Sequence, residues 1–231
     1  TYEFNKGTNA ADYLVTSKYG KLIVTADDTE VVVTITEHSG SFAYDGTEKT
    51  VEGYDFAASN PLYTQADFEF SGDATVRGTD AGTYQMELKP GDFKNTSASF
   101  SKVTFVVVDG TLTITPKDIV PAEGNQMTVG TLPNVVYNGT EQAQKPVVKD
   151  GDKTLVEGTD YELSYSADIT NAGTVTVTVT GKGNYAGKAK VTYQILKRQV
   201  VLTSGSKTWP YDGQAHSLTE VSGWEQSGDK G

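Results

Sequence analysis

The sequence predicts an all-β protein built from tandem small modules, β-sandwich-like or β-grasp-like, set end to end with little or no helix. Three observations carry that expectation. Thr, Val, Tyr and Ile recur in short runs and 24 residues are Gly, a composition that suits pleated, half-buried strands joined by turns. Residues 173–180 alternate strictly, so that Val175, Val177 and Val179 face one way and Thr174, Thr176, Thr178 and Thr180 the other. The chain also repeats itself. Tyr44-Asp45-Gly46-Thr47, Tyr137-Asn138-Gly139-Thr140 and Tyr211-Asp212-Gly213 follow one another at intervals of one small domain. The first two are each followed by a second motif, Asp80-Ala81-Gly82-Thr83-Tyr84 and Asn171-Ala172-Gly173-Thr174-Val175. Fixed self-similarity marks an array of modules.

Taken in order, residues 12–17 and 21–25 read as strands around Tyr19-Gly20, and residues 30–36 as the next. Residues 83–88, 102–108 and 111–115 follow, with Asp109-Gly110 between the last two as a hairpin signal. In the second copy the candidates are 161–165, 173–180 and 190–196, and 199–203 opens the third. Asp45-Gly46, Asn138-Gly139 and Asp212-Gly213 offer residues tolerant of positive φ. Pro61, Pro90, Pro121 and Pro133 lie outside the alternating runs. Helical periodicity is poor, and at most one turn is expected near 56–60 or 93–100. The similar endings at 111–117 and 191–197 set the boundaries. Residues 1–25 are the C-terminal strands of a preceding module, 26–116 a first full β module, 117–197 a second, and 198–231 the start of a truncated third. Linkers are nearly absent, which favours a semi-rigid rod.

Composition excludes several function classes. The 231 residues carry a formal net charge of −11 and no cysteine. Nucleic-acid binding needs clustered Lys and Arg, and none cluster here. Disulfides, thiolate chemistry and Cys-ligated metals are absent. No apolar run reaches the ~20 residues of a membrane helix. Thr1 is not an initiator Met and both ends look like cut modules, so the sequence reads as a piece of a longer polypeptide.

Few residues suggest chemistry. His38 and His216 are the only imidazoles, and neither has a nucleophile elbow beside it, so both are expected in loops. Asp150, Asp152 and Asp160, with Glu157 and Glu162, crowd one stretch, and Asp27, Asp28 and Glu30 another. These are the calcium candidates, but neither stretch has EF-hand spacing, and solvated loop carboxylates are the expectation. Gly205-Ser206-Lys207-Thr208 lacks the full phosphate-loop pattern. Tyr44, Tyr137 and Tyr211 are expected to plug the core at equivalent corners. The alternative is a stacking platform for sugar rings, to which Trp209 and Trp224 would contribute. Asn95-Thr96-Ser97 and Asn138-Gly139-Thr140 match the glycosylation acceptor by coincidence.

The Tyr-Asp/Asn-Gly corner, the later Asp/Asn-Ala-Gly-Thr and the block Gly181-Lys182-Gly183-Asn184-Tyr185-Ala186-Gly187 together resemble the tandem MBG and YDG-type modules of bacterial surface proteins, which are loosely related to mucin-binding and Ig-like adhesin repeats. The first copy departs from this pattern with Asp92-Phe93-Lys94-Asn95 where the second has Gly183-Asn184-Tyr185. The resemblance implies an extracellular, cell-wall-associated setting and a role in adhesion or display, without catalytic residues or cofactors. The expected function is therefore a non-enzymatic stalk or spacer of an adhesin. The alternatives are direct binding of mucin or another host glycan, and an accessory region of a secreted polysaccharide-degrading enzyme. No nucleic-acid partner and no membrane insertion are expected, and the chain should be a monomer with edge strands open to pairing.

Overall fold

Alternation of apolar and polar residues shapes nearly every element of the computed structural model, which describes residues 6–222 apart from Thr8, Val15, Ser17, Ala167 and Glu220. The fold is all-β. Helical structure among these residues is confined to three single 3₁₀ turns, at Ala10–Asp12, Gln65–Asp67 and Pro90–Asp92. The chain packs as two compact units. One comprises the described residues within 1–36, 55–73 and 88–108, the other those within 37–54, 74–87 and 109–231.

In the first unit, Val31–Glu37 is the middle strand of three, between Tyr54–Ala58 and Val103–Val108. Its pairing with Val103–Val108 is parallel, from Val31 opposite Val103 to Thr36 opposite Val108. Val31, Val33 and Ile35 are buried, and the intervening Val32 and Thr36 are exposed. Apart from Leu88, the rest of the core is aromatic. Phe68 meets Phe56, Phe93 and Phe105 edge-on at centroid distances of 5.6, 5.9 and 5.6 Å, the arrangement that ring quadrupoles favour. Tyr63 lies parallel to Phe68, and its hydroxyl reaches the Asp67 carbonyl and the Asn95 side-chain oxygen, both at 3.1 Å. The amide of Asn95 donates to the Phe100 carbonyl, so this acceptor-like Asn is occupied in holding a loop.

No helical turn forms near 56–60 or 93–100, where the sequence allowed at most one. Tyr54–Ala58 and Phe93–Asn95 are strands, because Phe56 and Phe93 alternate inward and pack on Phe68.

The second unit contains one three-strand pattern twice. In the first copy, Thr111–Thr115 lies between Gly40–Ala43, parallel to it, and Gly82–Gln85, antiparallel. In the second, Lys188–Leu196 lies between Val135–Val136, parallel, and Gly173–Gly181, antiparallel, with Tyr161–Tyr165 added outside. The register is the same in both. Gly82 faces Ile114, which faces Phe42. Gly173 faces Ile195, which faces Val135. Val175, Val177 and Val179 are all buried, as the alternation requires, and Val175 and Val177 pack with Tyr193 and Ile195. Burying such a side chain contributes on the order of 2 kcal/mol.

Two hairpins expected from sequence are absent. Asp109-Gly110 does not join Val103–Val108 to Thr111–Thr115, because these strands belong to different sheets. Gly110 is there for close approach instead. Its N–H donates to the buried Glu37 carboxylate at 2.7 Å, and a Cβ on it would lie 2.2 Å from the His38 carbonyl oxygen. The segment around Tyr19-Gly20 also forms no hairpin. Residues 21–26 belong to no strand, and Leu22, Ile23 and Val24 are exposed. A strand without a neighbour cannot satisfy its backbone groups. The expected strand at 199–203 shrinks to Thr203–Ser204, paired with Val221–Ser222.

Candidate functional site

The three tyrosine-led corners share one local geometry. At the first, the Thr47 N–H and hydroxyl both donate to Asp45 Oδ1, at 2.9 and 2.6 Å. At the second, the Thr140 N–H and hydroxyl both donate to Asn138 Oδ1, each at 2.9 Å. At the third, the Gln214 N–H donates to Asp212 Oδ1 at 2.9 Å. A short side-chain acceptor bonding the backbone two residues on is the Asx turn. The glycine inside each turn has positive φ, 80° at Gly46, 82° at Gly139 and 74° at Gly213, where a side chain would add strain. The first two corners also enter from equivalent strands. Tyr44 N–H donates to the Thr115 carbonyl and Tyr137 N–H to the Leu196 carbonyl, both at 2.9 Å.

Ring burial differs among the corners. Tyr44 is buried, and Tyr137 packs, partly buried, against the core of Val175, Val177, Tyr193 and Ile195. Tyr211 is 98% exposed and departs from the core-plug expectation. Near it, Trp209 stacks on His216 at 5.0 Å with Lys207 Nζ over its ring, and His216 contacts the Asp212 carboxylate at 2.8 Å. Trp224 lies outside the described residues. His38 Nδ1 contacts the Glu52 carbonyl at 2.8 Å.

The motif residues of the two copies meet. Asn184, from the Gly181–Gly187 block of the second copy, reaches the Asp80-Ala81 turn of the first. Its Oδ1 accepts from the Ala81 N–H at 2.6 Å and its Nδ2 donates to Asp80 Oδ1 at 2.8 Å. The adjacent Tyr185 packs edge-on against Tyr44, with centroids 5.6 Å apart and rings inclined at 76°. Beside the joint, the start of the second copy is tied by its backbone to the same block. Lys117 N–H donates to the Asn184 carbonyl at 2.9 Å, and Ile119 N–H to the Ala186 carbonyl at 2.8 Å. Ile119 is fully buried.

Beside this joint lies a polar cleft of about 370 Å³, lined in part by Tyr44, Asp45, Lys117, Asp150, Lys153 and Tyr185. Lys117 Nζ pairs with Asp150 Oδ1 at 2.5 Å, and the Tyr185 hydroxyl donates to Asp150 Oδ2 at 3.2 Å. Lys153 Nζ sits 5.5 Å from the Tyr185 ring centroid. Burial, reinforced by the Asp150 carboxylate, pushes the Tyr185 phenol well above the usual tyrosine value. Asp45 is held far below the usual carboxylate range by its bond to Lys49 Nζ at 2.6 Å, with further bonds from Thr47.

The acidic candidates do not come together. Asp150 is engaged by Lys117 and Tyr185. Asp152 is exposed in the turn between Val148–Asp150 and Lys153–Thr154. Asp160 is buried and caps its own loop, accepting the Val156 N–H at 2.8 Å. In the other stretch, Asp27 accepts the Thr29 N–H and Glu30 the Thr104 hydroxyl, while Asp28 is exposed. Glu157 and Glu162 pair with Lys145 and Lys182. Among the described residues, no group of three or more His, Cys, Asp or Glu could hold a metal ion.

Sequence reasoning missed Asn184, Asp80 and Ala81 as partners. Both motifs were visible as recurring strings, but their recurrence says nothing of which string docks on which.

These features define a class: an all-β chain carrying two copies of one sheet pattern, with its motif residues spent on joining them. Residues 31–116 match the family model described as MBG domain. MBG modules occur in tandem in surface proteins. No curated protein and no solved structure matches the chain. No helix among the described residues is long and apolar enough to cross a membrane.

Proposed function

We propose that the chain is a non-enzymatic spacer in the extracellular part of a bacterial surface protein, a stalk that carries an adhesive head away from the cell wall. One observation supports this above the rest: the motif residues are consumed in the joint between copies. Asn184 is spent on Asp80 and Ala81, and Tyr185 on Tyr44 and Asp150. A recurring motif used internally serves geometry rather than ligand capture. Thr115-Pro116-Lys117 leaves almost no linker between the copies, and short connections limit independent motion. The net charge of −11 adds mutual repulsion between neighbouring stalks.

A glycan and mucin array probed with the chain tests this reading. Silence across the array is the expected result. Saturable binding of one glycan class that is lost in Tyr211→Ala, the most exposed corner, would replace the spacer with a glycan-binding module.

A further inference from the structure

We infer that the second copy presents a docking surface, formed by Tyr137, Asn171, Ala172 and the segment around Val200, for the Gly-Asn-Tyr turn of a further repeat of the same kind. The inference rests on reading the chain as a stretch of a repeat array.

The first copy shows how such a surface is filled. The shared register places the Tyr44 corner and the Asp80-Ala81 turn on neighbouring strands of one sheet. Asn184 takes the turn and Tyr185 covers the corner ring. The segment after the last strand then pairs with the docked block through Lys117 and Ile119.

In the second copy, the register Gly173–Ile195–Val135 sets the same two elements in the same relation. There, Ala172, the counterpart of the half-buried Ala81, is exposed, and Asn171 stands where Asp80 does. Tyr137, the counterpart of the buried Tyr44, is only partly buried. A second observation points to the same occupant. Val200 follows Leu196 as Ile119 follows Thr115, yet Val200 is 58% exposed where Ile119 is 0%. Val201 and Leu202 beside it are also exposed, at 67% and 61%, and residues 198–202 belong to no strand. Three consecutive exposed apolar residues next to an open turn form a surface that lacks its cover. A backbone block offering carbonyls, as Asn184 and Ala186 do for Lys117 and Ile119, would pair with this segment and bury Val200. Asn171 in place of Asp80 still offers a side-chain oxygen to an incoming Asn amide.

The test joins a duplicate of residues 122–197 directly after Leu202, in place of the residues that follow, so that Val200, Val201 and Leu202 keep their places. Linkage gives an effective concentration in the millimolar range, so even a weak contact is populated. Amide hydrogen exchange is then read at Ala172 and at Val200. Both should slow at least tenfold against the parent chain. Asn→Ala at the position equivalent to Asn184 in the added copy should return Ala172 to the parent rate. Unchanged exchange at Ala172, with the strand amides of the added copy protected, would overturn the inference. Glycan binding by the parent chain would instead overturn the spacer reading and leave this result standing.

Discussion

Removing the Asn184 side chain should open the joint between the two copies while leaving each sheet intact. Asn184→Ala deletes two hydrogen bonds, one from the half-buried Ala81 N–H and one to the exposed Asp80 carboxylate. The first deletion also strands a donor, which raises its cost to about 1.5 kcal/mol, and the exposed bond contributes about 0.5 kcal/mol. The sum is about 2 kcal/mol, or roughly 30-fold in the opening equilibrium of the joint. The assay is native-state amide exchange at Ile119, whose N–H donates to the Ala186 carbonyl beneath the joint. Local openings expose such amides without global unfolding. Ile119 should exchange about 30-fold faster in the variant, while the Val177 amide in the middle of Gly173–Gly181 keeps its rate. Acceleration confined to Ala81, with Ile119 unchanged, would show that Asn184 decorates the joint rather than holding it.

Two further outcomes follow from the same geometry. Gly110→Ala drives a methyl group to 2.2 Å from the His38 carbonyl and 2.7 Å from that of Glu37, and should cost about 3 kcal/mol in urea unfolding. Gly91→Ala, with nothing within 4 Å of the added carbon, should stay within about 0.5 kcal/mol of the parent. Tyr185 is raised above the ordinary tyrosine value of about 10, so the folded chain holds its proton more tightly than the unfolded chain. Its contribution to stability is therefore full below about pH 10 and is lost as pH rises through the folded value. In Tyr185→Phe the alkaline decline of the melting temperature should flatten, and tyrosinate absorbance should show one fewer late-ionising ring. An identical alkaline decline in parent and variant would count against this assignment.

Strand existence was legible wherever alternation was strict. Val175, Val177 and Val179 could be placed in a core from their spacing alone, whereas the consecutive Val31, Val32 and Val33 left the inward face of their strand open until the structure buried Val31, Val33 and Ile35. The tyrosine corners were legible as turns with positive φ at glycine, and the structure adds the Asx bonds by which Asp45, Asn138 and Asp212 hold residues two positions away. What failed was non-local. Asp109-Gly110 has hairpin chemistry, but the parallel pairing of Val103–Val108 with Val31–Glu37 recruits the strand elsewhere, and no local string encodes that choice. The short apolar runs at 21–25 and 199–203 had strand propensity without neighbours, so Ile23 and Val200 stay exposed. For the candidate site, the aromatic corners were found from recurrence, whereas the bond from Ala81 to Asn184 joins residues far apart in the chain and became visible only once both turns were in place.

The double-mutant cycle between Tyr44 and Tyr185 bears most directly on the claim that the repeated motifs form the joint. Tyr44→Ala, Tyr185→Ala and the double variant are compared with the parent by exchange at the Ile119 amide. Edge-on aromatic pairs carry about 1 kcal/mol beyond their buried area, and the rings here stand 5.6 Å apart. A coupling energy of about 1 kcal/mol is the predicted result. Additive effects, with no coupling between the two rings, would contradict it.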